Sequence, residues 1–344
     1  MSATPETPAP AHVFVIAEAG VNHNGDPAMA ADLVQAAADS GADSVKFQTF
    51  DPDALVAAST VTASYQKQAT GIDDQREMLR GLVLPDAALR DLARQCDDLG
   101  IEFLSTPFDH GSADALAKLG VQRFKIGSGD VTNVPLLRHV ASFGKPVILS
   151  TGMATIDEID EAVEALDAVR ERLTILHCVS AYPTPMAQAN LLAIRTLQAR
   201  FGGIIGYSDH TLGGTASLAA VALGATAIEK HLTLDCRLPG PDHRASLEPA
   251  PFREMVEGIR DVSASLGDGT KRPQPEEIET RQVARRGVKL TRDLPEGHVL
   301  MTDDLAVLRP ETGLHPRHMP ELVGRKLSAA AKAGHPLDWP DLGE

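Results

Sequence analysis

The chain has 344 residues, 43% hydrophobic but only 4% aromatic, and its 47 acidic against 32 basic side chains give a formal charge of −15. That balance speaks against nucleic acid or an anionic membrane as the main partner, because both reward a basic face. No apolar run approaches the ~18 residues of a membrane span, and Cys96, Cys178 and Cys236 are too scattered for a disulfide framework or thiolate cluster, so a reducing, cytoplasmic setting is expected. An anionic small molecule stays compatible with the charge if cationic groups gather locally against the global field.

Residues 1–11 lack both a basic region and an apolar core, so they read as a disordered start rather than a secretory signal. From 12 to 267 one pattern recurs: a short apolar, β-branched run, then an amphipathic stretch usually closed by Gly. The runs fall at 13–19, 44–49, 101–106, 123–128, 146–151, 173–178, 203–208 and 226–231. They are too continuously apolar for strands with one wet face and suit a buried parallel sheet. Eight such units predict a closed (β/α)8 TIM barrel, with an open doubly wound sheet as the alternative. Residues 268–283 are polar and Pro-containing and read as a linker; 284–344, with short apolar pieces broken by Gly and Pro, reads as a small β-rich module that docks on something.

In such a barrel the C-terminal strand ends line the active site. Those positions hold Glu18, Lys46, Gln48, Thr106, Lys125, Ser128, Ser150, Thr151, His177, Ser208, Asp209, His210, Glu229 and His231. The plain alternative for any one of them is helix capping or loop satisfaction. Lys46 and Lys125 lie inside the apolar runs VKFQ and FKIGS, where a solvated lysine is out of place; with the serines they supply what a phosphate needs. His210 and His231 end neighbouring strands and suit a divalent metal acting as a Lewis acid. In the turn-rich stretch 238–249, Asp242 and His243 either face the cavity or build an Asx-type turn; NHNGD (22–26) reads mainly as a turn.

The blocks IAEAGVNHNGD, VKFQTF, STPFD, KIGSGD, STGMAT, HCVSAYPTP, GYSDHTLGG, IEKHLTLD and GPDHRASLEP resemble, in order and spacing, the sialic acid synthases over residues 12–266. The tail blocks ARRGVKL, RPETGL and LVGRK resemble the SAF (antifreeze-like, β-clip) module of that family. The resemblance implies a TIM barrel plus SAF domain, a transferase that condenses phosphoenolpyruvate with N-acetylmannosamine or a related N-acylamino sugar, a divalent metal (Mn2+ first, Mg2+ or Co2+ otherwise) and a domain-swapped homodimer. It assigns Lys46, Thr106, Lys125, Ser128, Ser150 and Ser208 to phosphoenolpyruvate, and His210 and His231 to the metal. Gln48, Asp130, Tyr182 and Asp242 go to the sugar, together with Arg309, which would come from the partner subunit's module. Glu18, Lys46, Lys125 and Asp242 carry the chemistry, Glu18 either handling the water proton or stabilising a cationic carbon.

Three stretches depart from the family pattern: Asp130 ends a Ser-Gly-Asp where Ser-Gly-Glu is usual, Val179 and Ala181 replace polar residues, and RPETG replaces Arg-Pro-Gly-x-Gly. Intact GPDH and SLEP favour an N-acetylneuraminate or N,N'-diacetyllegionaminate synthase over a pseudaminate one. Two rivals stand beside this reading: a Schiff-base aldolase using Lys125 or Lys230, and a non-enzymatic binding protein built on the tail module.

Overall fold

Eight parallel strands, β1 (Phe14–Gly20), β2 (Ser44–Thr49), β3 (Glu102–Pro107), β4 (Phe124–Ile126), β5 (Val147–Ser150), β6 (Leu173–Cys178), β7 (Ile204–Asp209) and β8 (Ala227–His231), occupy the eight apolar runs of the computed structural model. Each is followed by a helix: α1 (Pro27–Asp39), α2 (Asp86–Leu99), α3 (His110–Leu119), α4 (Val134–Ser142), α5 (Ile156–Ala165), α6 (Ala193–Phe201), α7 (Thr215–Ala222) and α8 (Pro249–Ser265). The structure describes residues 12–343, apart from the side chains of Ser64, Tyr65 and Gln68; the expected disordered start lies outside these. Strand order is β3-β2-β1-β8-β7-β6-β5-β4, and β3 and β4 close the circle side by side without a hydrogen-bonded ladder. This is a TIM-type barrel.

Strand alternation divides the core into two layers. From β1, Val15, Ala17 and Ala19 point outward into the apolar layer beneath the helices. Ile16 points inward, where it meets Leu104, Ile148, Leu176 and Ala227. Several helices begin on a polar cap just beyond a strand end: Asp26, Asp109, Asn133 and Thr155 each accept a backbone N–H of the first turn. For these residues capping explains the polarity.

Two glycines shape the barrel mouth. Gly20 has φ +53° at an irregularity in the β1–β2 register, and a Cβ there would stand 3.1 Å from the Glu18 carboxylate and 3.3 Å from the Gln48 amide. Gly25, at φ +75°, lets the β1–α1 loop approach Gly81, whose carbonyl oxygen would be 2.4 Å from a Cβ. The long β2–α2 connection passing this point holds an apolar cluster of Phe50, Met78 and Leu82 with Val21.

A second unit spans 269–344. Where a linker was expected, Glu277–Ala284 forms a helix, α9; Glu277 accepts from the Gln274 N–H, and Glu277 and Glu279 place negative charge in its first turn. Beyond it, β9 (Gly287–Leu290) pairs antiparallel with β10 (Leu305–Leu308), and β11 (Lys326–Leu327) with β12 (Leu342–Gly343). A one-turn helix, Met319–Leu322, lies among these β pieces. Val288, Leu290, Leu300, Leu305, Leu322 and Leu337 are core residues of this unit.

Candidate active site at the barrel mouth

Along the strands the inward columns end at the barrel mouth in polar or ionisable side chains, one step every two residues. β1 runs Ile16 then Glu18, β2 runs Ser44, Lys46, Gln48, and β8 runs Ala227, Glu229, His231. The tops of these columns converge on a cavity of about 360 Å³. Of the residues assigned from the sequence, Glu18, Lys46, Gln48, Thr106, Lys125, Ser128, Ser150, Tyr182, Ser208, His210, His231 and Asp242 line it.

Its floor is a buried charge cluster. Lys46 Nζ lies 2.8 Å from Glu18 and 3.6 Å from Glu229, and it donates to Thr106 Oγ1 at 3.1 Å. Lys125 Nζ donates to Ser150 Oγ at 2.7 Å and lies 3.6 Å from the same Glu229 oxygen. Ser208 donates to the other Glu229 oxygen at 3.0 Å, and Gln48 donates to Glu18 at 3.1 Å. Burial pushes the Glu18 carboxyl up, with Lys46 opposing. For Glu229 burial acts in the same direction, but Lys125 and Lys46 override it and hold the carboxylate below its usual range. Burial lowers Lys125, whereas for Lys46 the two carboxylates outweigh burial and raise it. Two lysines and two carboxylates thus balance, with serine and threonine hydroxyls interleaved. Ser128 adds a further hydroxyl, accepting from the Gly152 N–H at 2.9 Å.

On another side stand His210 and His231, ring centroids 5.3 Å apart, with Tyr182 4.2 Å from the first and 5.8 Å from the second. His210 Nδ1 lies 2.8 Å from the Val179 carbonyl, which can only accept, so Nδ1 carries a proton and Nε2 is the nitrogen left to ligate; burial lowers this ring, but Cys178 and that carbonyl outweigh it and raise it. His231 Nδ1 is buried with no hydrogen-bond partner, and burial together with the positive neighbours His210, Lys46 and Lys230 holds this ring neutral. Two imidazoles, one with an orphaned nitrogen, form a donor pair that fits a divalent ion with open positions for substrate and water. Among the described residues no group of three His, Cys, Asp or Glu side chains is arranged to hold an ion by itself.

Asp242 reaches the cavity from the β8–α8 loop, its carboxyl raised to about 6 by burial. His243 does not: it contacts Thr233 Oγ1 at 2.7 Å and Asn24 Oδ1 at 3.3 Å. Asn22 donates to Leu232 O and Ser246 Oγ, so NHNGD buttresses the loop that carries Asp242 as well as forming a turn.

Two assigned residues stand elsewhere. Asp130 is not in the cavity wall; its side chain accepts from Asn133 Nδ2 at 2.9 Å in the short turn after β4, which is what its shorter reach permits. Arg309 is exposed on the second unit. Thr151, His177 and Asp209, also polar strand-end residues, bond instead to Leu176 O, Ala189 O and Lys230. Glu229, a strand-end residue given no role from the sequence, turns out to join both lysines. Strand alternation is the signal that finds it: Glu229 stands two residues before His231 on β8 and so shares its inward column. Cys178 and Ser180 also line the cavity.

A TIM-type barrel whose mouth carries this set, followed by a small β unit, defines a barrel enzyme fold with a C-terminal SAF domain. The chain belongs to the NeuB family, whose profile matches residues 33–271, and the SAF domain matches 285–343. It is 46% identical to the N,N'-diacetyllegionaminic acid synthase of Legionella pneumophila, covering 95% of this chain and 93% of that protein. It is 42% identical to the Campylobacter jejuni protein of the same name, over 91% of this chain and 95% of the relative. The crystal structure of an N-acetylneuraminic acid synthetase from Leptospira borgpetersenii superposes with a TM-score of 0.71 at 36% identity, covering 78% of this chain and 90% of that one.

Proposed function

We propose that this chain is a phosphoenolpyruvate-dependent transferase that condenses phosphoenolpyruvate with N-acetylmannosamine or a related N-acylamino sugar, giving a nonulosonic acid and free phosphate. The observation that carries the reading is the juxtaposition, in one cavity, of a buried lysine-and-hydroxyl cradle with a pair of histidines. Lys46 and Lys125 would neutralise the phosphate, with Thr106, Ser128, Ser150 and Ser208 supplying hydrogen bonds. His210 and His231 would hold a divalent ion, Mn2+ in the first instance, which when bound supplies Lewis-acid polarisation of the sugar aldehyde. C3 of phosphoenolpyruvate attacks the aldehyde carbon, and the proton that completes the new hydroxyl comes from solvent or Asp242. Water adds at C2 and gives its proton to Glu18, and breakage of the C2–O bond releases phosphate and leaves the ketone. Gln48 and Tyr182 orient the sugar.

The names of the two relatives favour a second substrate, 2,4-diacetamido-2,4,6-trideoxymannose, with N,N'-diacetyllegionaminate as product. A Schiff-base mechanism is less well supported: Lys230 is buried on Asp209 at 3.1 Å and outside the cavity wall, and Lys125 is engaged by Ser150. We further propose a cytoplasmic, domain-swapped homodimer in which Arg309 serves the sugar site of a partner. Among the described residues no helix is long and apolar enough to cross a membrane.

The test is phosphate release from phosphoenolpyruvate with Mn2+ and each candidate sugar. Release that requires both sugar and metal is expected, and silence with every sugar refutes the reading. His231→Ala should abolish metal-dependent turnover and metal binding by calorimetry while the barrel stays folded. Arg309→Ala should raise the sugar KM or lower kcat and leave phosphoenolpyruvate binding unchanged.

A further inference from the structure

Asp209 and Lys230 stand beside His210 and His231 in sequence but take no part in the chemistry above. In the β7–β8 ladder they are direct partners, and alternation turns both away from the cavity, towards α7. Both are fully buried. Lys230 Nζ lies 3.1 Å from Asp209 Oδ2, the oxygen to which Ser217 of α7 donates at 2.7 Å. The other carboxylate oxygen accepts from the Thr211 N–H at 2.8 Å and from the Tyr207 hydroxyl at 3.4 Å, and Lys230 also donates to the Thr211 carbonyl.

Stability alone does not call for such a pair. Two charges taken wholly out of water give up their hydration, and an apolar pair of similar volume often serves a fold as well or better. What the ion pair supplies, and an apolar pair lacks, is direction. Thr211 follows His210, and the pair holds its N–H through Asp209 and its carbonyl through Lys230. The backbone on both sides of His210 is thereby tied to the residue that precedes His231. No hydrogen bond reaches His231 Nδ1, so the placement of that ring comes through its backbone, which Lys230 anchors.

We propose that Asp209 and Lys230 are positioning residues for the histidine pair, fixing the spacing of His210 and His231, whose ring centroids lie 5.3 Å apart, before a divalent ion arrives. The inference rests on the metal reading proposed above. The two ligands come from the ends of two different strands. Any freedom of one end relative to the other would have to be removed when the ion binds, and that loss would appear as weaker affinity.

The test is Mn2+ binding to the protein without substrates, followed by calorimetry. Asp209→Asn/Lys230→Met removes both charges while nearly keeping both shapes, so neither partner is left as a lone buried charge. In this variant the Mn2+ dissociation constant should rise about tenfold or more, the usual effect of losing a group that orients metal ligands. Phosphoenolpyruvate affinity of the metal-free protein should stay unchanged, because Lys46 and Lys125 lie on β2 and β4. If the double variant fails to fold in a thermal melt, Lys230→Met alone is read in the same way, since Asp209 keeps its bonds from Ser217, Thr211 and Tyr207. Unchanged Mn2+ affinity in a folded variant overturns the positioning role and leaves the metal reading standing. An equal loss of phosphoenolpyruvate affinity also overturns it, because the pair would then support the whole barrel mouth. Absence of Mn2+ binding to the wild-type protein overturns the metal reading, and this role with it.

Discussion

In the barrel, Lys46, Lys125, Glu18 and Glu229 face one another across a cavity; in the second unit Asp304 is fully buried and saturated. Arg292 and His298 lie on the Asp304 oxygens at 2.7 and 2.8 Å, and the Met301 N–H donates at 2.9 Å. Burial works against that carboxylate, but these partners override it and hold it at about 2. Within the barrel itself, Lys230 and Asp209 follow the saturated pattern, with Ser217, Thr211 and Tyr207 around them. The cavity groups differ: Glu18 Oε2 is paired with Lys46, but Glu229 Oε2 has only the two lysines at 3.6 Å and His231 Nδ1 is buried without a hydrogen bond. A structural charge has its partners in the fold, whereas a binding site leaves positions open for what it binds. The net charge is divided just as unevenly: the first 268 residues hold 35 acidic and 20 basic side chains, the rest 12 of each.

The largest effect that sharpens this contrast is on activity. Lys125→Ala should slow phosphate release by about 10³-fold, a loss of the size seen when a charge-stabilising donor is removed. The second unit should not register the change, and Trp339, the single tryptophan of the chain and a residue of that unit, reports on it by fluorescence. Conversely, Asp304→Ala should destabilise the second unit by about 1–2 kcal/mol, since it takes the acceptor from half-buried His298 and from the Met301 N–H, while Arg292 stays solvated. That loss should appear in the Trp339 transition and not in the helical signal, which comes mainly from the barrel.

Acid should separate the two units as well. Burial lowers His23 and His243 to about 4 in the folded barrel, so below pH 6.5 the unfolded chain binds more protons and barrel stability falls as pH drops towards 4. Asp304 has the opposite chemistry. Its stabilisation is complete above pH 4 and is lost only as pH falls towards 2. Circular dichroism and Trp339 fluorescence, followed together, should show the barrel melting point falling first; coincident loss of both would break the comparison. The smallest effect belongs to the exposed Lys332–Asp293 pair, where Lys332→Ala should cost less than about 0.5 kcal/mol by chemical denaturation.

Much of the barrel was legible in the chain because eight apolar runs repeat at a spacing that only βα units satisfy. The polar strand-end residues were legible as a group and not one by one. Ser208 and Asp209 are neighbours in sequence, as are Glu229 and Lys230, yet the first of each pair lines the cavity and the second lies outside it. Composition does not distinguish them, since all four are polar residues at the ends of apolar runs. Asp130 carries a functional group of the expected type but spends it on Asn133. The helix at Glu277–Ala284 was hidden by the polar, Pro-containing stretch before it.

By itself, the sequence determined the βα repeat, the supply of lysines, hydroxyls and histidines at strand ends, and the acidic excess of the first 268 residues, because these are matters of residue type and spacing. Only the tertiary structure decided which ends face inward, that Glu229 joins two lysines from β2 and β4, and that Met78, Leu79 and Leu82 form an apolar wall beside them. The physical reason is that alternation sends successive side chains to opposite faces, and barrel closure then brings together groups more than a hundred residues apart.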